Sequence, residues 1–258
     1  MRNTPTRTLA GEQRARHRHR LLALVLSLNV ATTSSALEYY QQDNTGNINQ
    51  INVGVLKSNQ TGNDDSDGLS NGTSIERKRQ LPPFTELELH IPVTLRYTGG
   101  KTAQISISAP KGVHQQLSAE VQGGRLRISG KRFSTRKAVI VTVSSANLAR
   151  VVLRGSPDAS FHGIRGGQFT LDARGSADAT FSGSADQCQY RVQGAADIDL
   201  QALRCRDVAV NSQGSSDISV YASTSIAGTV LGAGDLTIHG KPTSDKLQAT
   251  GAFDIHYR

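Results

Sequence analysis

Apolar and polar residues alternate with a period of two along the C-terminal part of the chain, and the whole pattern repeats. After Asp197, for example, Ile198 and Leu200 are apolar whereas Asp199 is polar. This alternation is typical of a β-strand with one buried face and one face in water. The unit recurs every 18 to 20 residues. A fixed period of this size is typical of a solenoid, in which stacked repeats share one core.

Each unit opens with the same motif, which reads Gly, a small residue, any residue and Asp. Its glycines and aspartates are Gly155 and Asp158, Gly175 and Asp178, Gly194 and Asp197, Gly214 and Asp217, Gly232 and Asp235, and Gly251 and Asp254. Glycine permits positive φ at a sharp bend, and Ser and Asp side chains bond nearby backbone amides in turns. We therefore predict about six short coils, each with two strands that meet at a structural Gly-x-x-Asp corner.

The corner aspartates have a second interpretation, because stacked coils would place like charges about 5 Å apart. A bound cation would relieve that repulsion. Calcium-binding β-rolls, however, have a nine-residue period with denser Gly and Asp. We expect structural turn residues, with no metal and no cofactor, and a calcium site is the alternative.

The residues before the repeats also alternate. Leu87, Leu89, Ile91, Val93 and Leu95 form one such run, and a pair of glycines at 123–124 between two further runs predicts a hairpin. No helical period of useful length is present. We predict an all-β domain over residues 81–258, with N-terminal strands over 84–150 and repeat coils over 151–258.

Two segments precede this domain. Residues 1–36 combine six arginines, an apolar run at 21–28 and the small residues Ser34, Ser35 and Ala36, which predicts a signal peptide. An uncleaved anchor is the alternative. Residues 37–80 are rich in Asn, Gln, Gly and Ser and predict a polar disordered linker. We expect export to the periplasm, the cell surface or the medium, with no membrane span after signal removal.

The net charge of +8 superficially indicates nucleic-acid binding. Residues 1–36 carry six arginines and one acid, or +5, so the rest of the chain carries only 8 − 5 = +3. No basic helix is visible, and we do not expect nucleic-acid binding.

The only two cysteines are Cys188 and Cys205, which are 17 residues apart, or nearly one coil. They are therefore expected on adjacent coils, and export favours a disulfide between them. Two buried free thiols are the main alternative, and a metal or reactive site is a weaker one.

Polar residues at outward positions ahead of the corners form rows. Arg150, Arg154, Arg174 and Arg191 belong to these rows, together with several Gln and Asn residues. Such a face suits hydrogen bonding to a polysaccharide or an anionic glycan. The four arginines are candidate ligand-binding residues, and a merely solvated strand face is the alternative.

No catalytic motif is recognisable. Outside the signal segment, which contains His17 and His19, the other five histidines show neither HxH nor HExxH spacing, and no phosphate loop followed by a helix is recognisable. We therefore do not expect an enzyme.

Several stretches together resemble a known family. They are Phe84–Leu89, Ile91–Leu95, Gly124–Ile128, Leu148–Leu153 and the Gly155–Asp158 corner. The chain resembles the bacterial DUF2807 family, described as the head (GIN) domain of putative autotransporter adhesins, over about residues 81–258. The resemblance implies export, an adhesive role and a right-handed β-helix-like or β-sandwich-like fold. It supplies no catalytic residues.

We thus predict a right-handed parallel β-helix-like solenoid preceded by a β-sandwich-like strand region. The predicted function is that of an exported, non-catalytic, adhesin-like module that binds a polysaccharide or another cell-surface component. A structural envelope scaffold is the alternative, and a polysaccharide-active enzyme is third. The strand edge exposed by the final coil is expected to permit self-association.

Overall fold

A computed structural model describes residues 38–42, 48–52 and 72–258. The predicted signal segment, residues 1–36, lies outside this part of the chain. The described residues form fifteen strands and one short helix, α1 (Lys111–His114). The strands are β1 (Glu38–Gln42), β2 (Ile48–Asn52), β3 (Ser74–Gln80), β4 (Glu86–Leu89), β5 (Thr94–Gly99), β6 (Gln104–Pro110), β7 (Leu117–Gln122), β8 (Arg125–Gly130), β9 (Ile140–Ser145), β10 (Arg150–Gly155), β11 (Asp158–Gly175), β12 (Asp178–Gly194), β13 (Asp197–Ser215), β14 (Asp217–His239) and β15 (Ser244–Tyr257).

The repeats form a β-solenoid of about five turns. Strands β10 to β15 stack in chain order, and every neighbouring pair is parallel. The register places each corner glycine directly beside the corner glycine of the next coil. The predicted all-β solenoid is confirmed. Its six corners delimit about five turns, because one turn runs from each corner to the next. The right-handed winding stays a prediction.

The corner glycines are required by the stacking itself. A Cβ added to Gly175 would lie 2.2 Å from the carbonyl oxygen of Gly155, and one added to Gly194 would lie 2.2 Å from that of Gly175. Both glycines also have positive φ, 120° and 123°. A larger residue would therefore have to push two coils apart as well as adopt a conformation that L side chains rarely adopt.

The N-terminal strands extend the same sheet. Strand β4 pairs in parallel with β10 on one side and with β8 on the other, while β5 lies between β11 and β9. Antiparallel strands follow at that end of the sheet, where β7 pairs with β8 and β6 pairs with both β9 and β3. The hairpin between β7 and β8 turns at Gly123 and Gly124, as predicted, with φ of 58° and 75°.

Three strands fall inside the predicted linker, 37–80. Strands β1 and β2 pair with each other, and β3 adds seven residues to the edge of the main sheet beside β6. The main sheet therefore begins at Ser74, before the predicted boundary at Leu81. The sequence did not indicate β3 because most of its side chains are charged and exposed, as suits an edge strand.

Aromatic rings and one disulfide connect the coils internally. The rings of Phe161 and Phe181 stack at 4.7 Å between their centroids, and Tyr97 packs against Phe161 at 5.9 Å. Cys188 and Cys205 form the predicted disulfide between β12 and β13, and both are buried. The alternative of two free thiols is thereby excluded.

The final coil has a polar end. The Tyr257 hydroxyl donates to the Asp245 carboxylate, and the other oxygen of Asp245 accepts the Leu247 backbone N–H at 2.9 Å. Asp245 occupies the register position that the fully buried Ile226 holds one coil earlier. The outer edge of β15 has no partner strand among the described residues. Within those same residues, no helix has the length and apolar character needed to cross a membrane.

Candidate ligand-binding groove

An open groove runs across the coils on the outward side of the strand segments that precede the corners, a surface we call the pre-corner face. The groove has a volume of about 410 Å³ and crosses β11, β12, β13 and β14. It is lined by Gln168, Phe169, Thr170, Gln187, Cys188, Gln189, Asp207, Val208, Ala209, Ser225 and Ala227. We call it the Gln groove, because three of its outward-facing side chains are glutamines.

Side chains along one wall of the Gln groove are connected by hydrogen bonds from coil to coil. Gln168 Nε2 donates to Gln187 Oε1 at 3.2 Å, and Ser225 Oγ donates to Asp207 Oδ1 at 2.7 Å. Arg206 Nε donates to the other oxygen of Asp207 at 3.2 Å. The bond from Ser225, followed by the bond from Arg206, lowers the pKa of the Asp207 carboxyl. Asp207 is therefore a fixed, ionised acceptor at neutral pH.

The Gln groove offers amide donors and acceptors at regular intervals on a rigid support. Successive coils are spaced by about 4.8 Å, as neighbouring strands are. Gln187 and Gln189 lie in β12, and Gln168 lies in the neighbouring strand β11. The backbone hydrogen bonds between these two strands fix their positions. A row of this kind can bond a polymer of repeated hydroxyl groups without a deep pocket.

The predicted arginines lie on the same pre-corner face but outside the groove lining. Arg154 is in register with Arg174, and Arg191 is in register with Asp172. Arg174 is committed to Asp172, with Nε and Nη2 donating at 2.8 Å and 3.0 Å. The side chains of Arg150, Arg154 and Arg191 form no hydrogen bond or ion pair within residues 72–258.

The candidate residues named from the sequence and the residues that line the groove overlap only in part. Sequence reasoning singled out positions one to five residues before each corner glycine, whereas the groove also uses the position seven residues before it. That position is occupied by Gln168, Gln187, Asp207 and Ser225. The sequence pattern could have identified these residues, because they continue the alternation of outward, polar positions by one further step.

The corner aspartates form an exposed column on the other side of the corners. Asp197 is in register with Asp178 and Asp217. Burial raises the pKa of Asp197, and the neighbouring carboxylates raise it further, Asp178 and Asp217 before Asp199. The Asp217 carboxylate accepts the Asp235 backbone N–H at 3.0 Å, so this aspartate connects its own corner to the corner of the next coil. Across the described ranges, no group of three or more His, Cys, Asp or Glu is arranged to hold a metal.

The fold and the groove define a class, namely a β-solenoid with an open polar groove on one strand face. The sequence itself assigns the chain to a family. Residues 83–242 match DUF2807, described as "Putative auto-transporter adhesin, head GIN domain". Because the match covers more than half of the chain, this protein belongs to the DUF2807 family, as the sequence motifs predicted.

A solved structure shares the fold, and a second one is similar over the same share of this chain. A crystal structure of "a putative adhesin" from Bacteroides fragilis is 20% identical, covers 73% of this chain and 99% of that chain, and has a TM-score of 0.59. Another from Parabacteroides merdae, also described as "a putative adhesin", is 15% identical, covers 73% of this chain and 98% of that chain, and has a TM-score of 0.46. No curated protein matches this chain.

Proposed function

We propose that this protein is an exported, non-catalytic, adhesin-like module that binds a polysaccharide or a glycosylated cell-surface component along the Gln groove. The single observation that carries the proposal is the row of outward amide, carboxylate and hydroxyl groups that crosses β11 to β14. The adhesin descriptions of the family and of the similar Bacteroides fragilis structure support a role at the cell surface.

The groove suits a polymer better than a small molecule. Its polar groups are spread along several coils instead of converging on one point, and small ligands are usually bound in concave pockets that bury most of their surface. One sugar unit would gain only a few hydrogen bonds, each worth about 1 kcal/mol net. A polymer that engages successive coils combines these weak contacts, which raises its overall affinity.

A glycan-array screen with the full chain tests this proposal. The informative variant is Gln187→Ala/Gln189→Ala, which removes two amides from the central strand of the groove. The matched control is Thr180→Ala, because Thr180 is an exposed residue of the same strand, β12, on the post-corner side. Far-UV circular dichroism melts establish that both variants fold.

We expect selective binding by the wild type, a loss of at least about tenfold in the glutamine variant, and no change in the control. Loss of two to three hydrogen bonds of about 1 kcal/mol accounts for that factor, since 1.4 kcal/mol is tenfold. An array without any bound glycan, or equal binding by wild type and glutamine variant, would contradict the proposal.

One observation favours a second function, that of an envelope scaffold that assembles with itself. The outer edge of β15 has no partner strand among the described residues, and Tyr257 there is 56% exposed. Unpaired edges are templates for strand addition. Analytical ultracentrifugation of the full chain tests this second candidate, which requires concentration-dependent association.

A further inference from the structure

Three arginines occupy three successive coils on the pre-corner face. Arg154 lies in β10, Arg174 in β11 and Arg191 in β12, and we call them the Arg row. Arg154 and Arg174 are directly in register, and Arg191 is in register with Asp172, two residues before Arg174. Neighbouring strands are about 4.8 Å apart, so these like charges repel one another unless something compensates them.

Only the middle arginine of the row is compensated. The Asp172 carboxylate accepts two bonds from Arg174, and its side chain is only 7% exposed. Asp172 forms no hydrogen bond or ion pair with Arg191 of the next coil. The side chains of Arg154 and Arg191 have no hydrogen-bond or ion-pair partner within residues 72–258, and both are exposed.

Other arginines near this face are paired with acidic residues. In β8, Arg125 Nε lies 2.8 Å from a Glu86 carboxylate oxygen and 3.3 Å from one of Glu88. Asp207, the acid of the Gln groove, is likewise paired with Arg206. Arg154 and Arg191, by contrast, have no such acidic partner within residues 72–258.

One member of the Arg row, Arg191, borders the groove. Arg191 follows Gln189 by two residues in the same strand, which places the two Cα atoms about 7 Å apart on the same side of the sheet. A polymer that lies in the Gln groove would therefore pass Arg191 within reach of its long side chain. Guanidinium groups bind carboxylate and sulfate oxygens through paired N–H donors.

We propose that the ligand of the Gln groove is an acidic polysaccharide, whose hydroxyl groups bond the groove amides and whose carboxylate or sulfate groups pair with Arg154 and Arg191. This inference rests on the proposed function and adds the charge of the ligand to it. Carboxylate and sulfate share the relevant chemistry, namely an exposed oxyanion, and the probes below distinguish them.

The experiment compares three polysaccharides by affinity electrophoresis of the full chain at low salt. Polygalacturonate carries carboxylates, dextran sulfate carries sulfates, and dextran is neutral. The test variant is Arg154→Gln/Arg191→Gln. The matched control is Lys101→Gln/Arg165→Gln, which also removes two exposed positive charges but lies outside the Arg row. Circular dichroism melts verify that both variants fold.

We expect the wild type to bind at least one acidic polymer about tenfold more tightly than dextran. The Arg-row variant should lose that preference and keep the affinity for dextran, while the control keeps the preference. Added salt should weaken acidic binding in the wild type, as screening requires.

Two results would overturn the inference while leaving the proposed function intact. One is equal affinity of the wild type for dextran and for both acidic polymers, which would make the ligand neutral. The other is an equal loss in the test variant and in the control, which would make the attraction one of net charge alone. A wild type that binds none of the three polymers, and no glycan on the array, would instead refute the proposed function and with it this inference.

Discussion

The stacking of the corner glycines makes a sharp prediction about two substitutions of identical chemistry. A Cβ on Gly175 would lie 2.2 Å from the Gly155 carbonyl oxygen, whereas one on Gly155 would meet no atom within 4 Å. Both glycines have positive φ, 120° and 85° respectively. Gly155→Ala therefore reports the conformational cost of the corner, and Gly175→Ala reports that cost together with the contact between coils.

The expected magnitudes follow from these two contributions. An alanine at positive φ costs about 1–2 kcal/mol, which is the whole expected effect at Gly155. At Gly175 the clash is with backbone of the neighbouring coil and cannot be relieved by a side-chain rotation, so overpacking adds about 1–3 kcal/mol. For a folded domain of this size each kcal/mol lowers the Tm by about 2–4 °C. We expect Gly175→Ala to melt about 2–12 °C below Gly155→Ala.

Thermal unfolding followed by far-UV circular dichroism measures this difference directly, with the wild type and both variants in one buffer. Equal Tm values for the two variants would refute the reasoning, because the coil-to-coil contact would then contribute nothing beyond backbone conformation. A lower Tm for Gly155→Ala would contradict the assigned register of the corners.

Three further predictions concern the stability of the same domain. Lowering the pH from 7.5 to 5.5 should lower the Tm. Burial lowers the pKa of both His90 and His114, so the unfolded chain binds more protons than the folded chain in this pH range. A Tm that stays level or rises toward pH 5.5 would contradict this prediction. Replacing both Cys188 and Cys205 with Ala should reduce the free energy of unfolding by about 3 kcal/mol in non-reducing urea titrations, because the disulfide closes a loop of 17 residues. Adding a reductant should lower the free energy of unfolding of the wild type but not that of the variant. Asp197→Asn should raise the Tm slightly, and more so at low salt, because it relieves burial of a charge beside other carboxylates; a clear fall would show that the carboxylate has a stabilising partner instead.

The repeats could be predicted from sequence because each corner is a local feature. Gly194 and Asp197 mark a bend by their own conformational and hydrogen-bonding properties, and the alternation of Ile198 and Leu200 marks the strand that follows. Stacking then follows from the fixed period, since each coil can bury its apolar side only against the next.

The arrangement of the N-terminal strands could not be predicted in the same way. Alternation identifies β4 and β5 as strands, but it does not say that β4 pairs with β8 and β5 with β9, both in parallel and across long stretches of chain. Parallel pairing leaves no turn signal between the partners, unlike the hairpin of β7 and β8, which Gly123 and Gly124 reveal.

The candidate site was predictable in its face but not in its position. Outward alternation placed Arg154, Arg191 and Gln189 on one surface. Which part of that surface is concave depends on the sizes of side chains in neighbouring coils, such as Ala209 beside Gln189. The salt bridge between Arg174 and Asp172 could not be predicted either, because the spacing alone allows Asp172 to pair with either Arg174 or Arg191.

We propose that this protein binds a polysaccharide without altering it. The most direct measurement incubates the full chain with polygalacturonate and records, in the same sample, the bound fraction and the length of the polymer by size-exclusion chromatography. We predict saturable, reversible binding with an unchanged polymer length and no new reducing ends. Shortened polysaccharide chains would show that the protein is a polysaccharide-active enzyme. An absence of binding to this and every other glycan would refute the proposed binding function.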